Sequence, residues 1–484
     1  MYLRYLHFLS LLSLLPFASP GTATLPPIHY TISRRGGSFP TTDTANLTYL
    51  LEQLQIIETR FTATTRDFNG NQVVRKPNRQ HGTQANTILL GDVGREGNWF
   101  ASLQIGDPAQ NVDMDLDMLT ADWFVFSTGS GKGSYFLDFN SKSYGRDPVV
   151  PVLLALANRV IVDSESPLLF PTCRAPTDIF YIPTIKRSIP LSFAHCRPAK
   201  QWLRSLLPSG AYLGLAPSTS LSQLKTPSLM QQLMEKEILD TPFWSLVLLN
   251  REQGLFSMGG TSIAAVKQVE RDVEDALSFL DDHENAKRDS EINTQAPIVL
   301  DASNDWNWVQ VQGSDGWWQI LMRGVWIDGV KALQNQPAIL DVNTPFILAP
   351  PMAARSFYSS ISGSRPLPPP YDQFHTYPCL SPPEIHFEFA GWNVKVLKGR
   401  RDKGSSSPGG RFSLGRMESG SGYCIGTIVE SRLGVAGAVN EKEPSSGFSN
   451  MNGLADVWII GEPFFRDVQV AFDWKAKKVG MQKV

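Results

Sequence analysis

Two stretches, Leu116-Asp117-Met118-Leu119-Thr120-Ala121 and Ile339-Leu340-Asp341-Val342-Asn343-Thr344-Pro345, repeat one pattern and decide the fold. In each stretch an apolar strand ends in a carboxylate, and a hydroxyl follows three residues later. A chain that builds this pattern once in each half can bring Asp117 and Asp341 face to face. Two carboxylates in contact cannot both ionise, so the pair holds one shared proton and can act as acid and base. The pattern therefore predicts peptide hydrolysis by an activated water.

The composition is that of a large, β-rich protein. With 484 residues, 42% of them apolar, the chain is long enough for two lobes and extra segments. Its 38 Gly and 34 Pro lie among short apolar runs, which favours strands and tight turns. The net charge of −2 gives no reason to expect nucleic acid or an anionic membrane as a partner. The 7 His have no metal-ligand spacing, so we expect neither a metal nor a cofactor.

The N-terminus predicts entry into the secretory pathway. Residues 1–23 combine a basic start, a short apolar stretch and small residues before a cut, which is typical of a signal peptide. The C-terminus has no apolar tail, so no membrane anchor is predicted. We expect a secreted or vacuolar monomer. Asn46-Leu47-Thr48 is the single glycosylation sequon, with Asn46 as the acceptor.

Four cysteines in an oxidising compartment fit two disulfides. Three connectivities are open. Pairing by proximity joins Cys173 to Cys196 and Cys379 to Cys424, and so closes one loop in each half of the chain.

Changes in composition along the sequence divide the chain into further segments. Residues 24–85 are polar and read as a pro-segment or N-terminal extension, with a helical patch at Asn46 to Ile57 and a dibasic Arg34-Arg35 that predicts a processing site. An N-terminal lobe is expected over 86–262, and a C-terminal lobe over 301–484. Residues 263–300 between them are charge-dense and are interpreted as an insertion or linker.

Short apolar runs predict the strands. They are Trp99 to Ile105, Val112 to Leu116 and Trp123 to Phe126, followed by runs of the same kind within Trp306 to Val330 and Val457 to Met481.

Several motifs resemble those of pepsin-like aspartic peptidases, and they occur in that family's order. They are Ile105-Gly106-Asp107-Pro108-Ala109-Gln110, Asp117, Asp122-Trp123-Phe124-Val125-Phe126-Ser127, Leu213-Gly214-Leu215-Ala216, Gly254-Leu255-Phe256-Ser257-Met258-Gly259-Gly260, Trp306-Asn307-Trp308-Val309, Trp317-Trp318-Gln319-Ile320, Trp458-Ile459-Ile460-Gly461-Glu462-Pro463-Phe464-Phe465-Arg466, Phe472-Asp473 and Val479-Gly480. The resemblance covers about residues 98 to 484. It implies an all-β, bilobal fold with two β-barrel-like lobes, a cleft between them for a peptide or protein substrate, and Asp117 and Asp341 as the catalytic pair. It also assigns Cys379 and Cys424 to the disulfide of the second lobe.

The chain departs from the family pattern beside both aspartates. The family has Thr and then Gly after each aspartate, where the Thr hydroxyls tie the two loops together across the lobe boundary. This chain has Met118 and Val342 at the Thr positions, and Leu119 and Asn343 at the Gly positions. The hydroxyl tie cannot form, and Leu119 is a poor residue for the backbone angles that glycine allows. No flap Tyr is recognised between residues 144 and 173.

Two supporting hydroxyls remain, because Thr120 and Thr344 follow the aspartates at the third position and can bond the outer carboxylate oxygens. Three functions stay open. The first is an aspartic endopeptidase of weak or specialised activity. The second is an inactive scaffold that binds a peptide or glycan, and the third is a cleft adapted to a small metabolite.

Overall fold

The structure is a computed structural model that describes residues 27–34, 43–64, 87–90, 98–126, 136–145, 149–151, 153–156, 172–197, 210–217, 227–249, 252–260, 306–313, 316–397, 410–433 and 454–483. The signal peptide, the charged segment 263–300 and the region searched for a flap Tyr beyond residue 156 lie outside these residues, and those predictions stay untested.

The described residues are mostly β. The strands of the first half are β1 (Ile28–Arg34), β2 (Thr87–Leu90), β3 (Trp99–Ile105), β4 (Gln110–Asp117), β5 (Trp123–Phe126), β6 (Val149–Pro151), β7 (Leu153–Leu156), β8 (Thr172–Arg174), β9 (Thr177–Ile182), β10 (Arg187–Ser192), β11 (Ala194–Arg197), β12 (Ala211–Gly214), β13 (Phe243–Leu248) and β14 (Gln253–Met258). Those of the second half are β15 (Asn307–Gln310), β16 (Gln319–Ile327), β17 (Val330–Leu340), β18 (Ile347–Ala349), β19 (Arg365–Pro366), β20 (His375–Pro378), β21 (Ile385–Phe389), β22 (Trp392–Val396), β23 (Ser413–Arg416), β24 (Tyr423–Gly426), β25 (Ile428–Glu430), β26 (Trp458–Ile460), β27 (Val468–Asp473) and β28 (Lys478–Lys483).

Helices are few in this part of the chain. They are α1 (Leu47–Thr64), α2 (Leu229–Glu235), α3 (Pro351–Ser359) and α4 (Glu462–Phe465), with single 3₁₀ turns at Asp138–Asn140, Pro183–Ile185 and Gly410–Phe412.

The predicted strands are confirmed. The apolar residues of β3 and β4 alternate as in a half-buried strand, whereas β5 is apolar and buried throughout. In β3, Trp99, Ala101, Leu103 and Ile105 are all fully buried. The runs Trp123 to Phe126 and Val112 to Leu116 form β5 and the inner part of β4. The helical patch forms α1, which continues seven residues past Ile57.

Each half repeats one arrangement of three strands around its aspartate. Strand β4 ends at Asp117 and pairs in parallel with β12, which also pairs antiparallel with β5. Strand β17 ends one residue before Asp341 and pairs in parallel with β26, which also pairs antiparallel with β18. The two loops that carry the carboxylates are therefore equivalent. This match supports the two-lobed, pepsin-like all-β fold.

Glycine is required at the end of the central strand of each arrangement, where it lies against the loop after the aspartate. A Cβ on Gly461, which follows β26, would lie 2.0 Å from the carbonyl oxygens of both Thr344 and Phe346. A Cβ on Gly214, at the end of β12, would lie 2.3 Å from the carbonyl oxygen of Asp122. The backbone after each aspartate thus packs directly on the crossing strand, which fixes where each carboxylate points.

One long sheet joins the two lobes. Its path runs β15-β28-β27-β13-β14-β1-β3-β4-β12-β5-β11-β8-β6, with β9 and β10 attached beside β3. Strands of the two halves meet where β13 pairs with β27, and Trp244 stacks on Phe472 there with ring centroids 4.0 Å apart. The C-terminal lobe adds open sheets β22-β21-β16-β17-β26-β18-β25 and β19-β20-β24-β23, and β2 pairs with β7. None of these sheets closes into a barrel within the described residues.

The described residues of the N-terminal extension, 27–34 and 43–64, are packed into the fold. Strand β1 lies in the long sheet between β14 and β3, and its Ile28 and Ile32 are fully buried. Arg34, at the end of β1, is buried and pairs with Glu462 at 3.3 Å, so in this structure it is not presented to a processing enzyme. The division of residues 24–85 from the lobes stays a prediction about processing.

One predicted disulfide is present and the other fits the strand register. Cys379 and Cys424 form a disulfide with their Cα atoms 5.1 Å apart. Cys196 is disulfide-bonded and lies opposite Cys173 where β11 pairs with β8. The Cys173–Cys196 pairing remains our prediction.

Candidate active site

Asp117 and Asp341 are both buried at the lobe boundary and share one cation. The Asp117 side chain is 6% exposed and the Asp341 side chain is 0% exposed. Arg60 of α1 donates from Nη2 to Asp117 Oδ1 at 2.8 Å and from Nη1 to Asp341 Oδ2 at 2.9 Å. One guanidinium therefore spans the pair, in the place where a shared proton and a water are expected.

Helix α1 delivers Arg60 because one of its faces is apolar. Leu50, Leu54, Ile57 and Phe61 recur at helical spacing and are at most 4% exposed. They belong to one buried cluster with residues of the C-terminal lobe and with Leu119. Phe61 packs edge-on against Trp317 with ring centroids 6.1 Å apart.

Polar contacts fix the same helix at its start and near its middle. Asn46 Oδ1 accepts a hydrogen bond from the Tyr49 backbone N–H at 3.1 Å, which caps the helix. Glu58 accepts from Gln373 Nε2 at 2.9 Å and from the Arg432 backbone N–H at 2.6 Å. Asn46 itself is exposed, as a glycosylation site requires, and its glycosylation stays a prediction.

Burial and charge act in opposite directions on these groups. Burial raises the pKa of Asp117 above its ordinary value and the charge of Asp341 adds to the rise, whereas Arg60 and the Leu119 backbone N–H act to lower it. Burial alone would lower the pKa of Arg60, but the charges of Asp341 and Asp117 outweigh it and leave that pKa raised. Arg60 thus stays charged, and its removal would leave two buried carboxylates that repel each other.

The two predicted supporting hydroxyls behave differently. Thr344 Oγ1 donates to Asp341 Oδ2 at 2.6 Å, as the sequence pattern predicts. Thr120 Oγ1 instead accepts from the Asp122 backbone N–H at 3.0 Å. The Leu119 backbone N–H donates to Asp117 Oδ1 at 2.9 Å, so a backbone group supports Asp117 where a hydroxyl supports Asp341.

The altered neighbours fit the site without backbone strain. Neither Leu119 nor Asn343 is among the described residues with positive φ, so the strain expected at Leu119 does not arise. Leu119 contributes to the apolar cluster that holds α1, whereas Met118 and Val342 are buried in the main core. The Val342 backbone N–H lies 3.4 Å from Met118 Sδ, a contact made across the lobe boundary.

Sequence reasoning missed Arg60. The only signal was its place on the apolar face of the helical patch, three residues after Ile57, where an unpaired charge would be costly. No local pattern points to its partners, because they lie 57 and 281 residues further along the chain. The expectation of no metal site is not overturned, since the described part of the chain has no cluster of three or more His, Cys, Asp or Glu arranged to hold one.

Comparison with known proteins identifies the second half. Residues 301–484, which include Asp341, match the family model for eukaryotic aspartyl proteases. This half is a eukaryotic aspartyl protease domain. An aspartic protease of Phaffia rhodozyma is 24% identical over 172 residues, which is 34% of this chain and 34% of that relative. The chain therefore aligns with about a third of that curated relative's length.

The aspartyl protease domain contains one carboxylate of the pair, Asp341. Asp117 lies outside the matched residues, and its equivalence to Asp341 rests on the repeated strand arrangement and on the Arg60 that both bind. No helix in the described ranges is long and apolar enough to cross a bilayer.

Proposed function

We propose that this protein is an aspartic-type endopeptidase that uses Asp117 and Asp341 to activate water, and that Arg60 of its N-terminal segment holds the pair inactive. The observation that carries the proposal is the single guanidinium bonded to both buried carboxylates. Its support is the aspartyl protease domain around Asp341 and the equivalent loop around Asp117.

The chemistry follows once Arg60 leaves. Two buried carboxylates at one site retain a single proton between them, because full ionisation would leave like charges in a poorly solvated place. The ionised carboxylate then takes a proton from water, and the protonated one polarises the scissile carbonyl. The hydroxyl of Thr344 and the N–H of Leu119 hold one oxygen of each carboxylate, so the pair keeps its orientation when Arg60 is gone.

Activation requires that α1 move, and the position of α1 limits how this happens. A cut at Arg34-Arg35 would leave α1 joined to β3, because α1 begins at Leu47 and β3 begins at Trp99. The segment that must be cut or displaced therefore lies between residues 65 and 98. The cleft that α1 vacates is lined by apolar residues, which suits a peptide or protein substrate. We expect the active form to be secreted or vacuolar.

Proteolysis of a denatured protein at about pH 3 to 5 tests the proposal, since a proton-sharing pair works in that range. Because protonation of the carboxylates at acid pH weakens the Arg60 contact, we expect cleavage by the wild type at this pH and none by Asp117→Asn or Asp341→Asn. A peptide with a non-hydrolysable tetrahedral isostere at the scissile bond should inhibit. Binding of that peptide without cleavage would favour the inactive scaffold. Cleavage that survives both substitutions would exclude the pair.

A further inference from the structure

Asn343 joins the two aspartate loops across the lobe boundary. Its Nδ2 donates to the carbonyl oxygen of Leu116 at 2.5 Å, and its Oδ1 accepts from the backbone N–H of Trp99 at 2.9 Å. Leu116 directly precedes Asp117, and Asn343 follows Asp341 by two residues. One buried side chain, 7% exposed, therefore connects the backbone beside one carboxylate to the loop of the other.

The contact is specific because the Asn343 side chain continues the hydrogen bonding between β3 and β4 of the N-terminal lobe. The last pair of the β3–β4 ladder at this end is Phe100 with Asp115. Trp99 and Leu116 are the next pair along it, and the amide of Asn343 satisfies the N–H of one and the carbonyl of the other. An amide carries its donor and its acceptor on two separate atoms of one short side chain, whereas glycine has no side chain to offer either.

A second contact crosses the boundary in the reverse direction. The Val342 backbone N–H points to Met118 Sδ at 3.4 Å, so here the N-terminal loop supplies the side chain and the C-terminal loop supplies the backbone group. Thioether sulfur is a weak acceptor, so this contact is the weaker of the two. Met118 and Val342 occupy the positions where the family resemblance implies paired hydroxyls.

We propose that Asn343 is the residue that positions the two carboxylates relative to each other, with Met118 as an auxiliary contact. The pair Asn343 and Met118 thereby replaces the hydroxyl tie that the sequence lacks. The inference rests on the proposed function, since positioning matters to catalysis only if the pair is catalytic. Buried groups beside a reacting centre act through geometry, and a displacement of about 1 Å can lower a rate roughly 100-fold.

Steady-state kinetics on the full chain at acid pH test this role. Asn343→Ala should lower kcat roughly 10- to 100-fold with little change in KM, because it shifts the reacting groups rather than the surface that binds substrate. Asn111→Ala is the matched control: Asn111 is exposed on β4 and accepts from Gln104 Nε2 at 2.9 Å within one lobe. The control should keep the kcat of the wild type. An unchanged kcat in Asn343→Ala would overturn the inference.

Asn343→Asp separates positioning from simple loss of packing. A protonated carboxyl can donate to Leu116 and accept from Trp99 as the amide does, whereas a carboxylate can only accept. The variant should therefore have a kcat close to the wild-type value at the lowest pH tested and lose activity at a lower pH than the wild type does. A uniform loss at every pH would indicate damage to packing and would contradict the proposal.

Two further measurements keep the inference testable if Asn343→Ala misfolds or the wild type is inactive. Met118→Leu keeps the volume and removes only the sulfur acceptor, and it should lower kcat less than Asn343→Ala does. Hydrogen exchange of α1 needs no activity. Because Arg60 spans both carboxylates, Asn343→Asp at neutral pH should speed exchange in α1, while Asn111→Ala should not. Equal hydrogen exchange of α1 in the wild type, Asn343→Asp and Asn111→Ala would overturn the positioning role of Asn343. Absence of cleavage by the wild type would count against the proposed function alone.

Discussion

Arg60 and protons compete for the carboxylates of Asp117 and Asp341, which makes the contact between α1 and the pair sensitive to pH. Burial raises the pKa of Asp117 and the charge of Arg60 acts to lower it, so loss of that charge at the same burial would leave the pKa of Asp117 higher. When binding lowers the pKa of a group, that group stabilises the bound state at pH values above its pKa in the free state. The stabilisation is lost as the pH falls through the pKa of the group in the bound state. We therefore expect the Arg60 contact to weaken on acidification.

Hydrogen exchange in α1, corrected for the intrinsic effect of pH, should show this loss of protection as the pH falls. Glu58 acts in the opposite direction, because burial raises its pKa and its contribution to binding is lost as pH rises through that raised pKa. The matched variants are Arg60→Gln and Glu58→Gln. The loss of exchange protection in α1 at acid pH should vanish in Arg60→Gln, and it should grow or persist in Glu58→Gln. Identical profiles in wild type and Arg60→Gln would refute the competition.

The hydroxyl of Thr344 is predicted to support catalysis, and that of Thr120 is not. Thr344→Val removes a buried hydrogen bond to a charged group, worth about 1.5–3 kcal/mol, so kcat/KM should fall about 10- to 100-fold. Loss of a hydrogen bond that stabilises the singly ionised pair should also move the acid limb of the pH–rate profile to higher pH. Thr120→Val, whose hydroxyl bonds the Asp122 backbone, should leave the acid limb in place. A shift of equal size in both variants would contradict the assignment.

At the scale of elements, α1 is held by core-like packing in addition to its charge. Leu54 is fully buried between the helix and the C-terminal lobe cluster. Leu54→Ala should weaken the packing of α1 by about 2–5 kcal/mol. The loss should appear as faster hydrogen exchange in α1, with a smaller effect on β3 and β4, whose backbone hydrogen bonds are made within the long sheet. Glu52→Ala, at an exposed position of the same helix, is the control and should leave exchange unchanged. Slowed or unaltered exchange in Leu54→Ala would show that α1 is not held this way.

The elements themselves were largely predictable, and their long-range contacts were not. Strand β3 follows from alternation, β5 from a short continuous apolar run and the start of α1 from helical spacing, and all three are local properties. The equivalence of Asp117 and Asp341 was visible because the pattern is repeated. Arg60 could not be assigned, because a contact 281 residues distant leaves no local trace. The cross-boundary contacts of Asn343 were missed for the same reason, and a substitution that looked like a loss proved to carry two hydrogen bonds.

At the scale of the whole molecule, the second lobe depends on its disulfide. Cys379 follows β20 and Cys424 lies in β24, and the bond closes a loop with a sequence separation of 45. Replacing both cysteines with alanine should lower the free energy of unfolding by about 2–5 kcal/mol. Chemical denaturation with and without reductant measures the change. Non-reducing peptide mapping of the same protein would show whether Cys173 pairs with Cys196, and a pairing across the lobes would contradict the connectivity.

If one arginine of the same chain blocks an assembled catalytic pair, its removal should raise the rate of proteolysis. The decisive measurement is the rate of cleavage of a denatured protein by full-length Arg60→Ala, compared with wild type and with Arg60→Ala/Asp117→Asn. We expect faster cleavage by Arg60→Ala than by wild type, with the largest ratio at the higher pH values where the Arg60 contact is strongest, and no cleavage by the double variant. Equal rates for Arg60→Ala and wild type at every pH would contradict the block by Arg60, and equal rates for Arg60→Ala and the double variant would contradict the catalytic pair.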